Sequence, residues 1–170
     1  MYAAINKNLL VQAKKLCRQR NVRLTPQRLE VLRLMSQQPS AISAYALLDL
    51  LRFTEPQAKP PTVYRALDFL IEQGFIHRIE STNSYILCPH FGTPMHTSAL
   101  FICDRCKQVN ERTTKGVETT LKKLAAEVGF SLRQSVVEAH GLCTECVERE
   151  AYDSQHDYLE YPYSFRIKRE

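Results

Sequence analysis

TVYRALDFLIEQGFIHRIESTNSYILC, residues 62–88, is the stretch that decides the fold of the N-terminal half. At about 100° per residue, Val63, Ala66, Leu67, Leu70 and Ile71 share one stripe, so 62–73 reads as an amphipathic helix. Thr62 opens that helix, and Gly74 suits the left-handed position that closes it. FIHRIE at 75–80 and YILC at 85–88 are β-rich runs on either side of the turn STNS, which makes a hairpin.

Upstream, Leu9, Leu10, Ala13, Leu16 and Cys17 recur at helical spacing over 7–20, with Cys17 a small buried hydrophobe. Thr25-Pro26 starts a second helix, Thr25 as N-cap and Pro26 in the first turn, running through Leu29, Leu32 and Met35 and stopping before Pro39. Ser43 caps a third, 44–52, and the Pro-containing loop TEPQAKPP follows. Helices that end in a hairpin are the winged-helix arrangement, a variant of helix-turn-helix. The expected class is therefore α+β, with a winged-helix DNA-binding domain at 1–87 and a linker at 88–96, PHFGTPMH being rich in proline. Beyond it lie strands in TSALFIC and KQVNER, then a helix in GVETTLKKLAAEV with Val117, Leu121, Leu124 and Val128 on one face. A strand in SLRQSVVEAHGLC completes an α/β domain at 97–150, and 151–170 is a tail without periodicity, expected to be flexible.

Charge divides the same way. Residues 1–87 carry 12 Lys/Arg against 6 Asp/Glu, whereas 88–170 carry 11 against 12, within a net charge of +5. A basic module beside a neutral, cysteine-bearing one fits a polyanion partner for the first half and a metal for the second, although basic surfaces are often merely solvating. The N-terminus has no signal-peptide pattern, and no apolar run spans a membrane, so the expected location is the cytoplasm, where thiols stay reduced.

Four of the six cysteines form two C-x-x-C pairs, Cys103/Cys106 and Cys143/Cys146. Two thiolates three positions apart on a tight turn converge on one point about 2.3 Å away, and two such knuckles close a tetrahedral sulfur shell around zinc. Two disulfides or four unrelated core cysteines are the alternatives. The 36 intervening residues leave room for a strand–helix–strand unit.

In a winged helix, only the first turns of the reading helix reach base edges. Arg65 suits guanine there, and Tyr64 suits a phosphate or a thymine methyl, unless both belong to an ordinary solvated face. Asp68 and Glu72 would repel phosphates deep in the groove, so the helix enters by its N-terminal end, near Thr62. Tyr45 is a further candidate for DNA contact or a cover for the core edge, and Asp49 and Arg52 make an intrahelical pair. His77, Cys88, His96 and Glu111 make a good N/S/N/O zinc shell if the fold brings them together, which spacing does not establish. His90 competes with His96, and His140 reads as a core-edge histidine.

RLTPQRLEVL (23–32), KPPTVYRALDFL (59–70), GFIHRIESTNSYILC (74–88), CDRC (103–106) and EAHGLCTEC (138–146) resemble the ferric uptake regulator family, most closely its zinc-sensing branch. The resemblance covers roughly residues 8–148. It implies a dimeric bacterial repressor, a homodimer with room for more than one dimer per operator. It implies two zinc ions per chain, structural at Cys103, Cys106, Cys143 and Cys146, and regulatory at His77, Cys88, His96 and Glu111. Its targets would be high-affinity zinc uptake genes at AT-rich pseudopalindromic operators. A single histidine in HTSALFIC, where many iron-sensing members have a histidine-rich run, and the soft ligand Cys88 favour zinc over iron or manganese. An enzyme is not expected, since no H-E-x-x-H or nucleophile–base motif is present and neither ligand set leaves an open position. A zinc-ribbon adaptor would leave the basic half and TVYRAL without a purpose.

Overall fold

The computed structural model describes residues 2–90, 98–113, 115–132 and 135–149. Helix α1 (Tyr2–Gln19) is followed by α2 (Pro26–Ser36), the two-residue strand β1 (Ile42–Ser43), α3 (Ala44–Arg52) and α4 (Pro60–Glu72). The hairpin strands are β2 (Ile76–Ile79) and β3 (Ser84–Leu87). A second sheet holds β4 (Ser98–Cys103), β5 (Val109–Thr113) and β6 (Val136–Gly141), with helix α5 (Lys115–Glu127) between the last two strands. The linker segment 91–97 with His96, and the tail from 150, lie outside the described residues.

Local chemistry places the helix ends. The Thr25 hydroxyl accepts from the Arg28 N–H and Ser43 from Ala46, so both expected caps form. Helix α4 begins two residues earlier than expected, with Lys59 as N-cap and Thr62 already in the first turn. Pro60 and Pro61 cause this, because their fixed φ is helical and first-turn N–H groups have no helical partner anyway. At the other end Gly74 has φ 69°, its N–H donates to Ile71 O at 2.8 Å, and Phe75 N–H donates to Leu70 O at 2.9 Å. That Schellman closure turns the chain straight from α4 into the wing. Arg20, at the end of α1, donates to Gln73 O at 2.6 Å and places a cation at the negative end of α4.

The N-terminal core is built by Val31, Leu32, Leu47, Leu51, Val63, Leu67, Leu70 and Phe75, all essentially inaccessible, and Cys17 is buried with them. The apolar face of α4 is wider than a single stripe. Phe69 is also buried, under the Arg28 guanidinium 3.9 Å from its ring, and Tyr64 packs against the core edge rather than standing on a wholly polar face. The cause is that α4 is enclosed by α2, α3 and the wing together. Strand β1 was not foreseen, being too short to show alternation. It pairs Ile42 with Tyr85 and Ser43 with Ser84, giving an antiparallel sheet of order β1-β3-β2.

The second sheet has order β5-β4-β6, with β5 antiparallel and β6 parallel to the central strand. Its alternation is clear in β4, where Ser98, Leu100 and Ile102 lie on one face and Phe101, half-exposed, on the other. Leu100 and Ile102 bury against Ile79 of the wing, with Ile86, Val109 and Val136 around them. Leu124 and Val128 of the expected apolar face of α5 remain largely exposed in the single protomer.

Because a Cβ of alanine is crowded at the left-handed φ of 69° that Gly74 adopts, Gly74→Ala should lower the free energy of unfolding by about 1 kcal/mol. Urea unfolding followed by circular dichroism measures it.

Candidate metal centres and nucleic-acid face

The four paired cysteines converge, their sulfurs all lying within 4.8 Å of one another. The turn after β4 supplies Cys103 and Cys106, closed by the Lys107 N–H on Cys103 O at 2.9 Å with Lys107 at φ 61°. The second knuckle is the first turn of the helical segment 144–149, and the N–H groups of Cys146 and Val147 both donate to Cys143 O. Asp104 N–H donates to Gly141 O at 2.8 Å and ties the two knuckles together. All six cysteines are free, so the disulfide alternative falls. Cys106 Sγ and Cys143 Sγ are 3.7 Å apart, close to the roughly 3.8 Å edge of a sulfur tetrahedron around zinc at 2.3 Å. Backbone N–H groups of Cys106 and then Cys143 hold the Cys103 thiol below its ordinary value, the direction a thiolate ligand needs.

The second cluster forms at the junction of the two sheets. His77 comes from β2, Cys88 from the end of the hairpin and Glu111 from β5, with ligand atoms within 4.8 Å of one another. His77 Nε2 is 3.1 Å from Glu111 Oε1, and Cys88 Sγ lies 3.8 Å from the same oxygen. His77 and Cys88 are buried. Burial pushes the Cys88 thiol up to about 12, with the Glu111 carboxylate adding to it, so this sulfur binds a metal only by giving up its proton. His90 is exposed and does not join the cluster. The donor set of one imidazole, one thiol and one carboxylate fits zinc, whose fourth position one further ligand would fill.

Ser98, which sequence reasoning missed, lies at the centre of this cluster. Its hydroxyl is wholly buried, donates to Glu111 Oε1 at 2.7 Å and lies 3.1 Å from His77 Nε2. No sequence signal marks it, since a serine beginning an apolar strand is ordinary. His140, expected at the core edge, is a partly exposed histidine 3.1 Å from Asp104 Oδ1.

On the opposite side of the winged helix, Arg65, Asp68 and Glu72 are exposed and Thr62 half-buried. Tyr45 stands out from the start of α3, largely exposed. The Arg52–Asp49 pair forms within α3 at 3.5 Å. Lys59, exposed at the N-cap of α4 with no side-chain cap of its own, was also missed. Its place beside the positive end of the helix suits an anion.

A winged helix joined to a cysteine-knuckled α/β module, with a buried ligand cluster at their junction, defines a two-domain metalloprotein of the DNA-binding class. The chain belongs to the ferric uptake regulator family, whose model matches residues 19–140. It is 65% identical over 162 residues to the zinc uptake regulation protein of Escherichia coli (strain K12), covering 93% of this chain and 95% of that protein. Among solved structures it resembles a zinc uptake regulator complexed with zinc and DNA, with TM-score 0.82 and 69% identity over 86% of this chain and 97% of that one. Holo XcZur is similar with TM-score 0.75 and 38% identity, covering 83% of this chain and 98% of that one.

If Ser98 holds Glu111 and His77 in place, Ser98→Ala should weaken zinc at the junction about 10–100-fold while the four-cysteine zinc stays bound. Competition with a chromogenic chelator reads both.

Proposed function

We propose that this protein is a zinc-responsive transcriptional repressor whose zinc-loaded homodimer binds AT-rich pseudopalindromic operators in the bacterial cytoplasm and shuts off high-affinity zinc uptake genes. The observation that carries the reading is the meeting of His77, Cys88 and Glu111, drawn from the wing and the second sheet, at one buried point. The likeness to a zinc uptake regulator in complex with zinc and DNA supports it.

In this reading two zinc ions serve each chain. Cys103, Cys106, Cys143 and Cys146 hold the structural one, and free energy of binding there becomes folding free energy. His77, Cys88 and Glu111 hold the regulatory one together with His96. Bound zinc supplies a charge that ligands of both domains share. The chain's own part is to orient those ligands. The wing contributes His77 and Cys88, the second sheet contributes Glu111, and occupancy ties the winged helix to residues 97–150. The two reading helices of the dimer are then held at one spacing, so operator and metal affinity must strengthen each other equally. Arg65, Tyr64, Thr62 and Tyr45 face the DNA, with Lys59 beside them. Exposed Phe101, Leu124, Val128 and Phe130 on the second module are available to a second copy.

Operator binding measured across a zinc titration tests the whole reading, and equal affinity at both extremes would sink it. Cys88→Ser should abolish zinc responsiveness with fold and dimer retained, whereas Cys103→Ser should lose fold or dimer. Circular dichroism and light scattering separate the two outcomes. Arg65→Ala should cost about 1–3 kcal/mol on the operator and relax base preference at one position, read by binding to a set of mutated operators.

A further inference from the structure

Among the described residues the wing meets the second sheet at several points, and the ligand cluster is only one of them. Leu100 of β4 pairs with Glu111 of β5 and with Glu138 of β6. Paired residues on neighbouring strands share a face, so Glu111, Leu100 and Glu138 form one row across the sheet. Each member of the row meets the wing. Glu111 meets His77 and Cys88, and Leu100 buries in one cluster with Ile79. Glu138 takes the hairpin loop, its Oε1 accepting the Glu80 N–H at 2.6 Å and its Oε2 the Ser81 N–H at 3.2 Å.

This last contact has the form of a clasp. Two successive backbone N–H groups converge on one carboxylate, an arrangement that favours the anion. The loop that presents them is itself fixed. Asn83 N–H donates to Glu80 O at 3.3 Å, Asn83 takes φ 47°, and Arg78 donates to Asn83 Oδ1 at 3.1 Å. Burial opposes ionisation of Glu138, yet its bonds to Ser81 and Glu80 keep the carboxyl below its ordinary value. His140 Nε2 stands 3.7 Å from Glu138 Oε2 on the same strand. Among the described residues Glu138 is not part of either ligand cluster, and it lies at the edge of the sheet away from Glu111.

We propose that Glu138 is a positioning residue that latches the wing to the second sheet, raising the share of protein in the closed arrangement and thereby the apparent zinc affinity of the junction. The proposal rests on the reading above that the closed arrangement is the one that takes zinc and operator. A ligand whose competent state is partly populated binds more weakly by that fraction, so loosening the latch weakens metal binding without touching a ligand. Saturating zinc restores the closed state.

The test uses full-length protein with its four-cysteine zinc in place, comparing wild type with Glu138→Gln. Three quantities are read: amide hydrogen exchange at Glu80 and Ser81, zinc affinity of the junction, and operator affinity at saturating zinc. Exchange should quicken at both amides, zinc affinity should fall about tenfold, and operator affinity at saturating zinc should match wild type. Zinc affinity within about twofold of wild type would overturn the proposal, as would operator affinity lost even at saturating zinc, since a uniform loss marks a role in the fold or the DNA face. Should Glu138→Gln disturb the fold, Ser81→Pro removes one donor from the wing side at a turn position that accepts proline, and the same signs are expected. Wild type without zinc-dependent operator binding would refute the function instead, and exchange at Glu80 and Ser81 would still decide the latch.

Discussion

The row Glu111–Leu100–Glu138 is the constraint on which the rest of the molecule depends, because each of its members carries a contact between the winged helix and the second sheet. Among the described residues the N-terminal core contains twenty buried ones, whereas the cluster between the domains has three, Ile79, Leu100 and Ile102. Full burial of each of those three contributes at most about 1.5–3 kcal/mol, and part of that burial comes from their own strands. The apolar contribution to docking of the wing is therefore small. Polar contacts stand at the ends of the row, and the ligand cluster sits at one of those ends.

So small an apolar contribution suits a regulator. A domain pair welded by a large apolar interface would ignore the metal, and a pair with no contacts would place the full cost of ordering on metal binding. Here the two ends of the row differ in chemistry. His77, Cys88, Glu111 and Ser98 make a buried polar cluster whose thiol stays protonated until a metal displaces the proton. Glu138 and the hairpin loop make a clasp from charge and backbone N–H groups. The four-cysteine site lies beyond Cys103 at the end of the same central strand, and its tie through Asp104 to Gly141 keeps β4 and β6 in register. In the reading proposed above, the four-cysteine site thus supports the row, and sensing falls to the junction cluster.

Most elements of the fold were legible as pattern. Thr25-Pro26, Ser43 and Gly74 are local chemistry, and each placed its helix end because capping involves only neighbours along the chain. The stripe of α4 was read too narrowly, since Phe69 and Tyr64 are covered from directions that one helix cannot reveal. Pro60 and Pro61 start α4 ahead of Thr62, and that signal too is local to the chain. Strand β1 exists only because β3 lies beside it.

Sites divide along the same line. Doubled C-x-x-C spacing by itself pointed to four converging sulfurs, because each pair is closed by a tight turn and only one long-range contact is needed. Basic charge on the N-terminal half and the helix-to-hairpin pattern likewise stood in the sequence. Only the tertiary structure decided that His77, Cys88 and Glu111 meet, that Ser98 stands among them, and that Glu138 holds the wing. Those residues come from separate strands in two sheets, and their meeting depends on strand register and on how one sheet lies across another. No spacing along a chain records that.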